Sequence, residues 1–326
     1  MSKIFITGGA GYVGSALIPY LIEKGHSITV VDLMIYGKEV LKQHKNLNII
    51  EGDIREVSLL EKHIKGNDVV IHLACISNDP SFELNPQLGK SINLDAFTPL
   101  VEISRKNKVS KFIYASSSSV YGIKDEPNVN EEMSLEPLTD YSKYKADCEV
   151  ILKKYSSDKF TTTILRPATV CGYSPRQRLD VVVNILTNLA YNNRKIIVLG
   201  GDQLRPNIHI KDMILAYETV INAPKEIINN QIFNVGFENK KVIDLAETVK
   251  KVIGDDVIIE KIDSNDDRSY HISSKKIKKF LNFFPRYTTK DAIIELKKAF
   301  INGLLPNSLQ DKKYFNLKTM QSINLK

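Results

Sequence analysis

Tyr141 and Lys145 stand four residues apart in Tyr141-Ser142-Lys143-Tyr144-Lys145, where the pattern predicts the start of a helix capped by Thr139 or Asp140. On a helix that spacing puts the two side chains one above the other on one face. A tyrosine hydroxyl, with a reference pKa of about 10, is a poor base at neutral pH unless a nearby cation stabilises its phenolate, and Lys145 supplies such a cation. The buried stripe of this helix is expected to run through Tyr144, Cys148, Ile151, Leu152 and Tyr155. Upstream, Tyr114-Ala115-Ser116-Ser117-Ser118-Ser119-Val120-Tyr121-Gly122 follows an apolar strand and so puts a row of hydroxyls at a strand's C-terminal end. Ligands bind at that edge of an open α/β sheet, and Ser117 is the hydroxyl expected to bond a reacting oxygen. A Tyr-x-x-x-Lys pair or a serine run on its own is more often a solvated face or a polar loop, so their weight comes from the elements around them.

Those elements read as a doubly wound sheet. Short β-branched runs at Lys3–Ile6, Ser27–Val31, Leu47–Ile50, Asp68–Leu73, Lys111–Ala115 and Thr162–Leu165 alternate with amphipathic stretches, which predicts a parallel sheet covered on both faces by helices. After about residue 166 the rhythm changes. Helices are expected near Asp180–Tyr191, Val242–Ile253 and Asp291–Phe300, and short strands near Lys195–Leu199 and Gln231–Val235, which suits a smaller mixed α/β lobe. For the polar tail 302–326 both docking and fraying stay open.

Directly after the first strand comes Thr7-Gly8-Gly9-Ala10-Gly11-Tyr12-Val13-Gly14, running into a helix. Gly8, Gly11 and Gly14 at a strand-to-helix turn allow a tight bend, close backbone approach to a pyrophosphate, and helix–strand packing; the helix N-terminus offers free N–H groups to the anion. Asp32 ends the second strand about 20 residues on, where a carboxylate accepts hydrogen bonds from ribose hydroxyls and repels a 2′-phosphate. With no basic residue from Leu33 to Tyr36, NAD is expected rather than NADP. An oxidised nicotinamide would then add a second positive charge beside Tyr141. Asp53, in Glu51-Gly52-Asp53-Ile54, is read either as a ligand of the adenine amino group or as a helix cap.

Composition excludes several alternatives. The 326-residue chain is 43% hydrophobic and 25% charged, which rules out a disordered or collagen-like polymer. No membrane span or secretory signal is read, and a cytoplasmic protein is expected. Cys75, Cys148 and Cys171 have no disulfide or zinc spacing and are expected as reduced core residues, with no metal bound. The formal charge of +7 is spread among acids rather than clustered, so nucleic acid is not expected as a partner.

Taken together, the segment Thr7 to Gly14, Asp32, Asp53, His72-Leu73-Ala74, Asn93, Ser117, the Tyr141/Lys145 pair and Arg166-Pro167 resemble the extended short-chain dehydrogenase/reductase family, in its NAD-dependent nucleotide-sugar epimerase/dehydratase branch, over roughly residues 3 to 290. The resemblance implies a Rossmann-type domain of residues 1–166 plus about 208–236 that binds NAD, a lobe of about 167–207 and 237–326 that binds a nucleotide-diphosphate sugar, and a homodimer packed through helices. It implies Tyr141 as general base, Lys145 as the residue holding the nicotinamide ribose, and Ser117 as the hydroxyl steadying the substrate. Tyr12, Val13, Ile54, Leu73, Ala74, Asn93 and Pro167 join the glycines, Asp32 and Asp53 on the cofactor side. Ser118, Thr169, Arg178, Arg205 and Arg268 fall on the substrate side; Arg176 and Arg178 are read as lining the substrate entrance or as surface cations. His72, His209 and His271 are read as structural. Departures from the family pattern narrow the chemistry. Ser118 and Ser119 stand where the 4,6-dehydratases carry an Asp-Glu pair, so a 4-epimerase or 4-dehydrogenase working through a 4-keto sugar, in surface-polysaccharide precursor synthesis, is expected. A 4-keto-sugar reductase and a non-catalytic NAD-binding regulator are the other readings.

Overall fold

The computed structural model describes residues 1–263, 269–323 and 325. Seven strands form one parallel sheet in the spatial order Gln231–Val235, Thr161–Pro167, Lys111–Ala115, Val69–His72, Lys3–Thr7, Ser27–Asp32, Leu47–Glu51. The four central strands are nearly continuous in buried residues, as a sheet covered on both faces requires. One apolar layer packs the helices Gly14–Glu23 and Ile210–Asn222 on one face, and a second packs Val57–Ile64, Phe97–Lys106 and Asp140–Tyr155 on the other. This is the Rossmann-type doubly wound fold the alternating pattern predicts.

Strand order reverses between Lys3–Thr7 and Val69–His72, and the crevice at the C-terminal ends of those strands is where such sheets take ligands. A 2.7 Å hydrogen bond between Thr7 Oγ1 and His72 Nδ1 joins the two strands there. Burial pushes the His72 ring down to about 3, so it stays neutral and structural. Gly8, at φ +74°, turns the chain so tightly that a Cβ would sit 2.5 Å from the Ala74 nitrogen. At Gly14 a Cβ would meet the Gly9 carbonyl oxygen at 2.4 Å, which is why the first helix can begin against the turn.

The smaller lobe carries a three-stranded sheet of Glu238–Lys241, Leu204–His209 and Thr169–Cys171, and a parallel pair of Lys195–Leu199 with Ile258–Ile262. The helices Val182–Asn193, Val242–Ile253 and Thr289–Ile301 enclose its separate apolar core. The tail docks: a one-turn 3-10 segment at Lys312–Tyr314 leads to a helix, Asn316–Ser322, that packs on Asp79–Glu83, and Met320 and Leu325 rest on the second layer of the large core. Cys148 and Cys171 are buried free thiols, whereas Cys75 is half-buried and lies in a cavity wall rather than in the core. Among the described residues no helix is long and apolar enough to cross a membrane, and no cluster of His, Cys, Asp or Glu forms a metal site.

Candidate functional site

A cavity of about 500 Å³ opens at the strand-order reversal and extends between the two lobes. Its wall contains Gly8, Gly11, Tyr12, Val13, Gly14, Asp32, Ile54, Leu73, Ala74, Ser117, Ser118, Tyr141, Lys145, Pro167, Thr169, Arg178 and Arg205. Two residues on the expected cofactor side are not in that wall. Asp53 is engaged by Arg55, which donates from Nε at 2.9 Å and Nη2 at 2.6 Å. Desolvation works against its charge, but these bonds hold Asp53 below the usual carboxylate range. Asn93 is buried and brackets the backbone of Ile76, accepting from its N–H at 2.8 Å and donating to its carbonyl at 3.0 Å, so it shapes the loop that lines the cavity. Arg268 lies outside the described residues.

The helix Asp140–Tyr155 starts at Thr139, whose side-chain oxygen accepts from Ser142 N at 3.3 Å. This puts Tyr141 in the first turn and Lys145 one turn later. Lys145 is buried, donates to the Ala115 carbonyl at 2.6 Å, and holds its ammonium 5.0 Å from the Tyr114 ring centroid and 5.9 Å from that of Tyr141. Among the described residues no carboxylate lies within ion-pair distance of it, so its charge is available to a phenolate. Burial, with Cys75 and Asp79 adding to it, pushes the Tyr141 hydroxyl well above the ordinary tyrosine value, while Arg178 and a hydrogen bond from Ser117 pull it down. Ionising Tyr141 therefore depends on cations around it.

The buried face of this helix differs from the expected stripe. Cys148 and Leu152 are buried, but Tyr144, Ile151 and Tyr155 are only partly so, and the inward positions also hold Ser142, Lys145 and Glu149. Glu149 forms a fully buried pair with Arg166: Nε to Oε1 at 2.9 Å and Nη2 to Oε2 at 2.6 Å, with both side chains 2% exposed. Ser116 Oγ also donates to Glu149, at 2.5 Å, and Arg166 Nη1 donates to Tyr121 Oη at 2.7 Å. A single carboxylate thus fixes the helix carrying Tyr141 and Lys145 against the loop carrying Ser117.

Ser117 heads a chain of hydroxyls. Its Oγ lies 2.8 Å from Ser119 Oγ, which lies 3.0 Å from Ser142 Oγ; Ser142 Oγ is 2.9 Å from Thr139 Oγ1, and Thr139 donates to Asp79 Oδ1 at 2.6 Å. Thr139 spends its one hydroxyl proton on Asp79 and Ser142 spends its own on Ser119, so Ser119 can donate to Ser117 and leave the Ser117 proton for a ligand.

The cofactor end is tied to the second lobe. Asp32 accepts from Ala10 N at 2.9 Å and Met34 N at 2.8 Å, bonds that keep it oriented although burial pushes its pKa up. Tyr12 Oη donates to the Gly172 carbonyl at 2.7 Å and Ser15 Oγ sits 2.9 Å from Ser174 Oγ, stitching loop 172–178 to the glycine-rich turn. Neither arginine of this loop is a surface cation: Arg176 is 3% exposed, and Arg178 is anchored by Asp180 at 2.8 Å. The tail completes the wall through Asn316, which is 2% exposed. Its N–H donates to Asp180 Oδ2 at 2.8 Å, its amide nitrogen donates to Ser77 Oγ at 2.7 Å, and its amide oxygen accepts from Tyr36 Oη at 3.1 Å and from Arg176. Nothing in the local sequence marks Asn316, because its partners come from three distant loops. Glu149 had a signal, lying four residues beyond Lys145 on the same face.

These features fit a dinucleotide. The turn at Gly8 leaves a cradle that any Cβ would fill, and the buried Nε of Arg176 has no partner within the protein. The model for the NAD dependent epimerase/dehydratase family matches residues 4–236, and the chain belongs to that NAD-dependent enzyme family. Within it, the chain is 30% identical over 276 residues to a dTDP-D-glucose 4,6-dehydratase of Dictyostelium discoideum, an alignment covering 78% of this chain and 62% of that one. It is also 30% identical over 263 residues to a putative UDP-glucose 4-epimerase of Methanocaldococcus jannaschii, covering 77% and 82%. Among solved structures, a UDP-N-acetylglucosamine 4-epimerase from Methanobrevibacter ruminantium M1 in complex with UDP-N-acetylmuramic acid matches with a TM-score of 0.83 at 27% identity, over 92% of this chain and 98% of that one. The DesIV dTDP-glucose 4,6-dehydratase of Streptomyces venezuelae, with NAD bound, shares the fold with a TM-score of 0.84 at 20% identity, over 94% and 100%.

Proposed function

We propose that this enzyme is a nucleotide-sugar 4-epimerase that oxidises the sugar at C4 and returns the hydride within the same closed site. The observation that carries this reading is Asn316, whose bonds to Ser77, Asp180, Tyr36 and Arg176 fasten the terminal helix across the cofactor cavity. An enzyme that releases reduced cofactor at each turnover needs that exit open; an enzyme that reuses it does not.

NAD, held by the glycine-rich turn, Asp32 and Lys145, supplies the hydride acceptor and donor when bound. Tyr141 as phenolate takes the proton of the 4-hydroxyl, with Lys145 stabilising the charge. Ser117, oriented by Ser119 and the chain behind it, hydrogen-bonds the sugar oxygen. Once the 4-keto sugar has turned over, the other face of C4 takes back the hydride and Tyr141 returns the proton to the 4-oxygen, which balances the step with inversion at C4. Water elimination requires an acid and a base on the sugar, and the adjacent positions are the hydroxyls of Ser118 and Ser119. This supports epimerisation over dehydration, although relatives of both kinds exist. Arg178 and Arg205, both in the cavity wall, suit the diphosphate of the substrate. A homodimer is part of the proposal: the catalytic helix leaves Val150 54% exposed on its outer face, which suits helix packing against a second copy.

The test uses UDP-, dTDP-, CDP- and GDP-sugars deuterated at C4. The expected result is a 4-epimer that keeps deuterium at C4, with no net absorbance from reduced nicotinamide. Accumulating reduced cofactor or free keto sugar would point to a dehydrogenase, and a 4-keto-6-deoxy product to a dehydratase; either would overturn the proposal.

A further inference from the structure

Arg176 has no part in the chemistry above, yet it is built into the cofactor cavity. It comes from second-lobe loop 172–178, and its N–H donates to Ser15 Oγ at 3.1 Å, at the start of the helix that follows the glycine-rich turn. Its guanidinium lies 3.5 Å from the centroid of Tyr36, four residues beyond Asp32, and Nη2 donates to Asn316. Nε is enclosed and has no hydrogen-bond partner. Among the described residues no carboxylate is within ion-pair distance of it; Asp32 and Asp180 act on it only from further away. Burial lowers its pKa to about 10, so the group remains a cation at neutral pH. A buried, uncompensated guanidinium with an orphaned donor is costly in the protein alone, and a bound anion removes that cost. Its anchors, Ser15 at the helix start on one side and Tyr36 after Asp32 on the other, lie along the path of an adenosine diphosphate running from the ribose carboxylate to the helix N-terminus.

We propose that Arg176 clamps the pyrophosphate of the dinucleotide from the second lobe, with its Nε–H as the donor, opposite the backbone donors of the glycine-rich turn. The clamp rests on the NAD dependence of the family and extends it, because it makes the second lobe a direct holder of cofactor. It discriminates phosphate and not redox state, so NAD and NADH gain equally.

The experiment compares ADP, adenosine and UDP as ligands of the wild-type protein, Arg176→Lys and Arg176→Gln, by titration calorimetry after exchange of bound nucleotide, alongside the dinucleotide released on denaturation. A charged hydrogen bond of this kind is expected to be worth about 10- to 100-fold in affinity. Arg176→Gln should therefore lose ADP affinity by that factor while adenosine and UDP affinities stay near wild type, with Arg176→Lys in between. Equal losses for ADP and adenosine, or no loss for ADP, would overturn the clamp. If Arg176→Gln does not melt cooperatively, Arg176→Lys alone decides by the same ADP-to-adenosine ratio. Wild-type protein that releases no NAD on denaturation would count against the cofactor reading itself, whereas released NAD with unchanged ADP affinity in the variants overturns only the clamp.

Discussion

Removing the Glu149 carboxylate should be among the most damaging single changes in the large lobe. Glu149→Ala leaves the Arg166 guanidinium, 2% exposed, without its two charged hydrogen bonds and strands the Ser116 hydroxyl as well. Breaking a buried pair from one side costs about 3–5 kcal/mol, a large share of the roughly 5–15 kcal/mol that holds a typical domain together. With an unfolding entropy near 2.1 cal/mol/K per residue over 326 residues, that cost corresponds to a melting point lower by about 4–7 °C. Replacing both partners by apolar residues, Glu149→Leu with Arg166→Met, removes the stranded charge and should restore most of the loss. The assay is thermal unfolding of the two single variants, the double variant and the wild type at one fixed NAD concentration, since bound cofactor raises stability by mass action. A Glu149→Ala melting point within 1 °C of wild type, or a double variant showing the sum of the two single losses, would refute the reasoning. Activity should fall alongside stability in Glu149→Ala, because the same carboxylate holds Ser116 next to Ser117 and the helix of Lys145 in place.

Four further outcomes follow from the site. Tyr141→Phe should lower kcat by about 10²- to 10⁴-fold, the usual worth of a positioned acid–base group, while NAD is still released on denaturation. Asp79 raises the Tyr141 pKa and the rate depends on the phenolate, so Asp79→Asn should move the acidic limb of the kcat profile to lower pH; an unmoved limb would place the titration elsewhere. Asn316→Ala should speed exchange of bound NAD for labelled NAD in solution, with an unchanged exchange rate counting against the fastening role. Asp32→Ala should weaken NAD binding and raise NADP binding relative to it, measured as the ratio of the two Kd values on nucleotide-free protein, with an unchanged ratio counting against the ribose role.

The sheet and the glycine-rich turn were legible in the sequence because both rest on local patterns: β-branched runs of strand length, and glycines spaced for a turn that no Cβ permits. Tyr141 and Lys145 were legible for the same reason, one helical turn apart on a single face. What local pattern did not reveal is what depends on contacts between distant segments. Asp53 is a separate case, since the partner that engages its carboxylate, Arg55, lies only two residues on. Arg176 read as an entrance or surface residue because its burial depends on Tyr36 and Asn316, 140 residues away in either direction. Glu149 is buried beside the expected stripe, where its desolvation is offset by an arginine from a neighbouring strand.

The strand Gln231–Val235 follows the helix Ile210–Asn222 on the large lobe and pairs with Thr161–Pro167 at the margin of the large sheet. During synthesis this order has a consequence. Thr161–Pro167 emerges from the ribosome well before its neighbour, and nearly all of it is destined for the interior. Until some 65 further residues have been translated, one side of it presents unpaired backbone groups, the kind of template on which nascent chains stick to one another. Asn316 emerges later still, so in order of emergence the sheet comes first, its open margin is covered second, and the residue that ties the tail to Ser77 and Asp180 comes last.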